Sequence, residues 1–126
     1  MKLVPTFRTS DFQRSLDFYT KVLGFKVGFM HKTQTPEKVV HFAGLERDGC
    51  ELHLSEHGGD GAFGSVVYVR VDEVDQLFAE FKTNGLKLKS GSAVHEGPTN
   101  QTWGTREFYV TDPDGNTLRF GCLLKN

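Results

Sequence analysis

Residues 114–120, DGNTLRF, are one of two related stretches that decide the fold of this chain. The other is residues 48–54, DGCELHL, and in both an Asp-Gly dipeptide leads into alternating apolar and polar side chains. Asp-Gly is a strong turn signal, and strict alternation is typical of a strand with one buried face. Each stretch therefore predicts a turn followed by a strand, at the end of a repeated unit.

The repeat extends outward from these stretches to the preceding helices. Two segments begin at a potential helix cap, Ser10 or Asp72, and end at a glycine, Gly24 or Gly85. Ser10 also has the capping-box form S-x-x-Q with Gln13. Apolar residues at positions 74, 77, 78 and 81 form one stripe of a helix. The pattern predicts two copies of a strand, a helix and three strands, with each helix covering one face of its sheet.

The same patterns give the boundaries of the elements. In the first half we predict strands at 3–8, 25–31, 38–45 and 50–55, with a helix at 12–23. In the second half we predict strands at 65–71, 86–89, 105–111 and 117–123, with a helix at 74–84. The polar segment 91–101 is long for a hairpin, and loops of that length are often functional, with disorder as the alternative. We expect a single α+β domain made of two repeats, at about 1–57 and 64–126.

Composition excludes several classes of protein. A chain of 126 residues, 37% hydrophobic and 25% charged, is typical of one globular domain. The formal net charge of -1 provides no basic field for nucleic acid, and no apolar run is long enough to cross a membrane. The two cysteines form no CxxC motif, and residues 1–5 lack the apolar core of a signal peptide. We therefore expect a cytoplasmic protein.

Several motifs, in order along the chain, resemble a known family. They are VPTFRTSD at 4–11, WGTREF at 103–108 and DPDGN at 112–116. Together with the repeat, these motifs resemble the vicinal oxygen chelate (glyoxalase/bleomycin resistance/dioxygenase) superfamily, and within it the bleomycin-resistance proteins and their glyoxalase-like relatives. The resemblance covers nearly the whole chain. It implies two βαβββ modules, forming a concave mixed sheet with helices on the outer face. This superfamily includes binding proteins, isomerases, thiol transferases and ring-cleaving dioxygenases, so the fold does not select one function.

The resemblance also implies where a metal ion would bind. In metal-dependent members, strands 1, 4, 5 and 8 each contribute one donor side chain, and motif matching assigns these positions to Val4, His53, Val66 and Arg119. Valine has no donor atom, and an arginine guanidinium stays protonated and cannot bind a cation. One donor in four does not make a metal site. We predict no metal ion and no other cofactor, and we favour a binding protein over an enzyme.

Strand alternation indicates which side chains face away from the helices. Glu51, His53, Thr117 and Arg119 fall on that side. Arg119 then either contacts a ligand or pairs with a carboxylate such as Glu51 or Glu107. His53 is either a hydrogen-bonded wall residue or a ligand contact.

Aromatic residues complete the predicted site. In the resemblance, Trp103 and Phe29 match aromatic residues of the drug groove, and Phe42 and Tyr68 are further candidates. With His53 and Arg119, these six residues are the predicted ligand contacts.

The leading hypothesis is a bleomycin-resistance-like homodimer that sequesters a small drug-like or aromatic molecule in a dimer groove without metal. A bleomycin-type glycopeptide is one candidate ligand, although the known binders are strongly acidic and this chain is nearly neutral. The alternatives are a metal-dependent enzyme of glyoxalase or thiol-transferase type, and an orphan paralogue that binds a metabolite.

Overall fold

The computed structural model describes residues 1–125 and follows the predicted repeat closely. The first half contains β1 (Thr6–Arg8), α1 (Phe12–Asp17) continued by a π-helical turn (Phe18–Val22), β2 (Lys26–Gln34), β3 (Val39–Arg47) and β4 (Cys50–Ser55). The second half contains β5 (Val66–Arg70), α2 (Val74–Thr83), α3 (Ala93–Glu96), β6 (Thr99–Asn100), β7 (Thr105–Thr111) and β8 (Thr117–Leu123).

The strands form two four-stranded sheets with the same topology. Their orders are β1-β4-β3-β2 and β5-β8-β7-β6. In each sheet the first strand runs parallel to the last, and the other pairs are antiparallel. The predicted α+β class and the two βαβββ modules are confirmed. The described residues form two compact units, 1–65 with 112–116, and 66–111 with 117–125. That the two form a single domain stays a prediction.

Each unit has its own apolar core between sheet and helix. In the first unit, Phe12 of α1 stacks on His41 of β3, with ring centroids 4.9 Å apart. In the second, Phe81 of α2 contacts Phe108 and Phe120 edge-on, at 5.9 and 5.4 Å. Burial of apolar side chains such as these is the main favourable contribution to folding. Each helix therefore fixes which face of its sheet is buried.

The motif at 112–116 is a structural turn. The Asp112 carboxylate accepts hydrogen bonds from the backbone amides of Asp114 and Asn116, both at 2.9 Å. It also accepts from the Tyr19 hydroxyl at 2.8 Å, and burial raises the pKa of Tyr19 well above its ordinary value. The Asn116 side chain accepts from the amides of Gly64 and Ser65. Because these polar groups are buried and paired, the motif stabilises the fold.

Both predicted helix caps are wrong by one residue. Asp11, not Ser10, caps α1, and its carboxylate accepts from the backbone amide of Arg14 at 3.1 Å. The Ser10 hydroxyl donates instead to Asp114 at 2.6 Å. The cap of α2 is Glu73 rather than Asp72, and its side chain makes no capping hydrogen bond. The predicted terminal glycines are confirmed, since Gly24 and Gly85 have φ of 73° and 99°.

Two of the predicted strands differ from the structure. Residues 86–89 form no strand, and the place beside β7 is taken by the two-residue β6 within the predicted loop. Apolar alternation over so few residues does not determine a pairing partner, which is decided by contacts distant in sequence. The predicted strand 3–8 is shorter and begins at Thr6, after Pro5, which lacks a backbone N–H.

Candidate functional site

In each sheet, the face opposite α1 or α2 carries the side chains predicted to bind a ligand. Leu52, Leu54, Leu118 and Phe120 are 0–3% exposed on the helix side, as the alternation predicts. The intervening residues therefore lie on the other side. We call these surfaces the first open face (Thr6, Phe29, Phe42, Glu51, His53) and the second open face (Tyr68, Trp103, Glu107, Tyr109, Arg119).

A β-bulge at Gly28 brings Phe29 to the first open face. Val27 pairs with Leu45 and Phe29 pairs with Gly44, so Gly28 is an extra residue in β2. Side chains alternate along a strand, and one extra residue reverses the face of everything that follows. Without the bulge, Phe29 would lie on the same side of the sheet as Val27 and Leu45, which is the helix side.

Phe29 lies flat over Gly44 as part of an aromatic cluster. A Cβ atom at Gly44 would be 2.2 Å from Cε1 of the Phe29 ring, so only glycine leaves room for it. Phe29 stacks on Phe42 with centroids 6.0 Å apart. Both rings meet the edge of His53, at 5.5 and 5.1 Å. With Phe29 38% exposed, the cluster presents a flat apolar surface on which a planar molecule can stack.

A polar chain borders this cluster. His53 Nε2 lies 2.8 Å from Glu51 Oε2, and Lys2 Nζ donates to Glu51 Oε1 at 3.1 Å. The hydrogen bond with His53, followed by that from Lys2, lowers the pKa of Glu51. A cavity of about 240 Å³, lined in part by Phe29, Gly44 and Glu51, adjoins the chain. Its volume suits one ring or substituent of a ligand rather than a whole drug-sized molecule.

The second open face is built around an ion pair. Arg119 donates from its terminal nitrogen to Glu107 Oε1 at 3.2 Å, so its partner is Glu107 rather than Glu51. The Glu107 side chain is 1% exposed, whereas that of Arg119 is 34% exposed. The carboxylate therefore lies beneath the surface, and the guanidinium lies at it.

Four donors surround the Glu107 carboxylate. Besides Arg119, it accepts from the hydroxyl of Thr105 at 2.8 Å, the hydroxyl of Tyr109 at 3.3 Å and the indole of Trp103 at 3.4 Å. Burial favours the neutral acid, but the hydrogen bonds from Thr105, Arg119 and Trp103 outweigh it and lower the pKa of Glu107. Burial also opposes the charge of Arg119, yet Glu107 raises its pKa. Both groups are therefore ionised at neutral pH.

Tyrosine rings flank the guanidinium. The Arg119 Cζ atom lies 4.8 Å from the ring centre of Tyr109 and 5.7 Å from that of Tyr68. A Cβ atom at Gly121 would be 2.2 Å from the Tyr68 hydroxyl oxygen, so the ring lies directly over this glycine. Contacts between a guanidinium and an aromatic face are favourable and hold both groups in place.

Trp103 lies at the border of this face, just before β7. Its indole is held by the hydrogen bond to Glu107, and the residue is 61% exposed. An exposed indole fixed by its N–H can offer its ring to a ligand without reorganisation.

The structure adds two residues that the sequence prediction missed. Tyr109 belongs to the second open face by simple alternation with Glu107, so the pattern contained the signal. His95 of α3 contacts the Tyr109 ring at 5.7 Å and bonds Ser92 and Thr111 at 2.9 and 3.0 Å. Burial, and then the charge of Lys89, lowers the pKa of His95. No local pattern predicts this position, since α3 interrupts a polar loop.

The residues at the four predicted ligand positions do not fit a metal ion. Thr6 pairs with His53 and Val66 pairs with Thr117, so Thr6 and Val66 lie on the open faces, whereas Val4 precedes β1. The valines offer no donor, and Arg119 adds a positive charge. Within residues 1–125, no group of three His, Cys, Asp or Glu side chains could hold a metal ion.

Comparison with known proteins agrees with this geometry. Residues 4–120 match the family model of the Glyoxalase/Bleomycin resistance protein/Dioxygenase superfamily. The chain therefore belongs to this superfamily.

Individual relatives have different activities. A lactoylglutathione lyase of Escherichia coli O157:H7 is 30% identical, over 91% of this chain and 87% of the lyase. A bleomycin resistance protein of Geobacillus stearothermophilus is 24% identical, over 100% of this chain and 99% of its own length. A bleomycin-binding protein solved in complex with bleomycin has a TM-score of 0.73 and 23% identity, covering 100% of this chain and 99% of that chain. The solved structure supports the fold.

None of the helices in residues 1–125 is long and apolar enough to cross a membrane.

Proposed function

We propose that this chain is a bleomycin-resistance-type binding protein that sequesters a small aromatic molecule without changing it. The observation that carries the proposal is the aromatic surface on the open faces, where Phe29 and Tyr68 are each 38% exposed and Trp103 is 61% exposed. Large aromatic side chains are usually buried, so their exposure beside a few fixed polar groups is typical of a ligand site. A bleomycin resistance protein matches along the whole chain.

The predicted ligand contacts Phe29, Phe42 and His53 form one continuous cluster. Trp103 and Arg119 both bond to Glu107, and Tyr68 lies beside Arg119. Each set offers flat rings together with a polar group that can orient a ligand. At the four positions that would hold a metal ion, Val4, Val66 and Arg119 offer no donor atom, which supports a site that works without a metal ion.

We further propose that the chain works as a homodimer, with the groove completed by a second copy. All nine residues of β2 are exposed, and within residues 1–125 this strand pairs with β3 alone. A long edge strand leaves backbone N–H and C=O groups free to pair with another chain. Sedimentation at micromolar concentration should show a species near twice 14.1 kDa. A species near 14.1 kDa alone would reject the dimer.

The binding test uses Trp103, the one tryptophan of the chain. Titration with bleomycin and with the neutral planar probe 2-naphthamide is followed by the indole N–H resonance, and mass spectrometry checks the probe afterwards. We expect a saturable shift with 2-naphthamide and recovery of the intact probe. Tyr68→Leu, on the same face as Trp103, should weaken binding about threefold to tenfold, since an aromatic contact contributes about 0.5–1.5 kcal/mol. Phe63→Leu is the matched control, because Phe63 is also exposed and lies outside the clusters.

Three outcomes separate the possibilities. If neither compound shifts the resonance, the binding function is rejected. If the probe is converted to a product, sequestration is rejected. Saturation by bleomycin would identify the drug as a ligand, whereas saturation by 2-naphthamide alone would exclude it and retain the function.

The second candidate is a metal-dependent lyase, favoured by the 30% identity to lactoylglutathione lyase. Elemental analysis after incubation with zinc or nickel tests it. We expect no stoichiometric metal, since Val4 and Val66 offer no donor. One tightly bound ion per chain would favour the lyase.

A further inference from the structure

The accessible charges of the second open face are positive. Tyr68 pairs with Arg119 and Arg70 pairs with Gly121, so Arg70 shares this side of the sheet. The Arg70 Cζ atom lies 5.4 Å from the ring centre of Tyr68, and that of Arg119 lies 5.7 Å from the same point. Among the residues that define the second open face, the carboxylate is Glu107, which is 1% exposed and already accepts from Arg119. A ligand approaching the face therefore meets two guanidinium groups around one aromatic ring.

Arg119 has bonding capacity left after its contact with Glu107. A guanidinium carries five N–H donors in a planar fork. One terminal nitrogen donates to Glu107, and Nε is buried without a hydrogen-bond partner within residues 1–125. The side chain is 34% exposed, so its accessible edge keeps N–H donors for a ligand, and a carboxylate is the acceptor that a guanidinium binds best.

From these observations we propose that the second open face recognises the carboxylate of an aromatic acid. The carboxylate contacts the accessible guanidinium edges of Arg119 and Arg70, and the ring of the acid stacks on Tyr68 or Trp103. This proposal rests on the proposed binding function and narrows its ligand to anionic aromatic molecules.

The same charges disfavour a cationic ligand at this face. A cation would approach two fixed positive charges, and the carboxylate that could neutralise it lies buried beneath one of them. Like charges repel, and the repulsion is strongest at low salt. The face therefore selects ligands by the sign of their charge as well as by their aromatic surface.

The test compares two probes of the same ring and nearly the same shape, 2-naphthoate and 2-naphthamide. Calorimetry gives the affinities, and the Trp103 indole N–H resonance locates the binding. We expect the anion to bind about tenfold or more tightly at low salt, as a charge-assisted hydrogen bond predicts. The preference should fall as the salt concentration rises.

Two variants assign the preference to this face. Arg70→Gln removes an exposed charge and should reduce the preference about threefold or more without unfolding the protein. The double variant Glu107→Gln/Arg119→Gln replaces both charges of the pair, so no unpaired buried charge remains, and it should reduce the preference further than Arg70→Gln does. Arg106→Gln is the matched control. Arg106 lies on the opposite side of the same sheet, is 32% exposed and pairs with Asp75. It should retain the full preference.

Each result has a definite meaning. Equal affinity for the two probes in the native protein overturns the charge selection but leaves the binding function standing. Failure of both probes to bind overturns the binding function itself. A double variant that keeps the full preference, or an Arg106→Gln variant that loses it, places the anion elsewhere and overturns the proposal.

Discussion

His53 on β4 and Arg119 on β8 occupy equivalent positions in the two sheets, since Thr6 pairs with His53 and Tyr68 pairs with Arg119. Around His53 lie the rings of Phe29 and Phe42, which meet its edge. Around Arg119 lie a buried carboxylate and two tyrosines. One repeat has thus produced an apolar cluster in the first unit and an ion-pair cluster in the second.

The two clusters also differ on the strand next to His53 and Arg119. Phe42 pairs with Ser55, and Glu107 pairs with Gly121, so Phe42 and Glu107 are also equivalent. In the first unit this position extends the aromatic surface. In the second, it supplies the acceptor that Arg119, Thr105, Tyr109 and Trp103 all share. The backbone repeat therefore fixes which side chains meet on a face, and their chemical identity decides what that face binds.

The largest effect should come from breaking the ion pair of the second face. Arg119→Gln leaves Glu107 buried with its other donors, and we expect a loss of about 2–3 kcal/mol in the free energy of unfolding. The double variant Glu107→Gln/Arg119→Gln should be within about 1 kcal/mol of the native protein, since no unpaired buried charge remains. Urea unfolding measures both. Glu107→Gln completes the double-mutant cycle, and a loss in the double variant equal to the sum of the two single losses would show that the pair is not coupled.

The second largest loss of stability should come from disturbing the aromatic cluster of the first open face. Gly44→Ala places a Cβ atom 2.2 Å from the Phe29 ring, so the ring must move, at a cost of about 1–2 kcal/mol. Gly28→Ala is the matched control, because its Cβ atom would lie at an ordinary 3.5 Å from the Gly44 carbonyl oxygen. The same unfolding experiment applies. Equal stability of the two variants would mean that Phe29 does not depend on Gly44.

The smallest effect should appear in the acid limb of the stability profile. The pKa of Glu107 is lowered from 4.5, so the folded state favours its ionised form. The stability that Glu107 provides is complete above its unfolded pKa and is lost as the pH falls through its folded pKa. Glu107→Gln should therefore lose less stability than the native protein between pH 7 and pH 3 in thermal melts.

Glu51→Gln offers the comparison from the first face. The pKa of Glu51 is also lowered, but its side chain is 31% exposed and solvent weakens its contacts with His53 and Lys2. The loss of stability of Glu51→Gln between pH 7 and pH 3 should therefore differ less from that of the native protein than the loss of Glu107→Gln does. A larger change for Glu51→Gln than for Glu107→Gln would reverse the proposed contrast between the two faces.

Much of the fold could be predicted because its signals are local. The Asp-Gly turns, the apolar stripe of α2 and the alternation in β4, β7 and β8 are properties of a few adjacent residues. Both bounds of β4, β7 and β8 agree with the predictions. Errors occur where the pairing of a strand depends on residues far away in the sequence. One example is β6, which takes the place beside β7 that was predicted for residues 86–89.

The candidate site was also predicted in part, where its signals are local. Alternation placed His53 and Arg119 on the open faces, and the six predicted contacts gather into the two clusters. The choice between Glu51 and Glu107 as the partner of Arg119 stayed open, because both lie on an open face and the pattern carries no distances.

The sequence by itself determined the repeat, the order of the elements, the facing of most strands and the absence of donors at three of the four metal positions. These follow from side-chain chemistry and short-range periodicity. The tertiary structure alone decided that a bulge at Gly28 turns Phe29 outward, that Arg119 pairs with Glu107, and that His95 packs against Tyr109. Such outcomes depend on pairing register and on contacts between residues far apart in the chain, which no local pattern encodes.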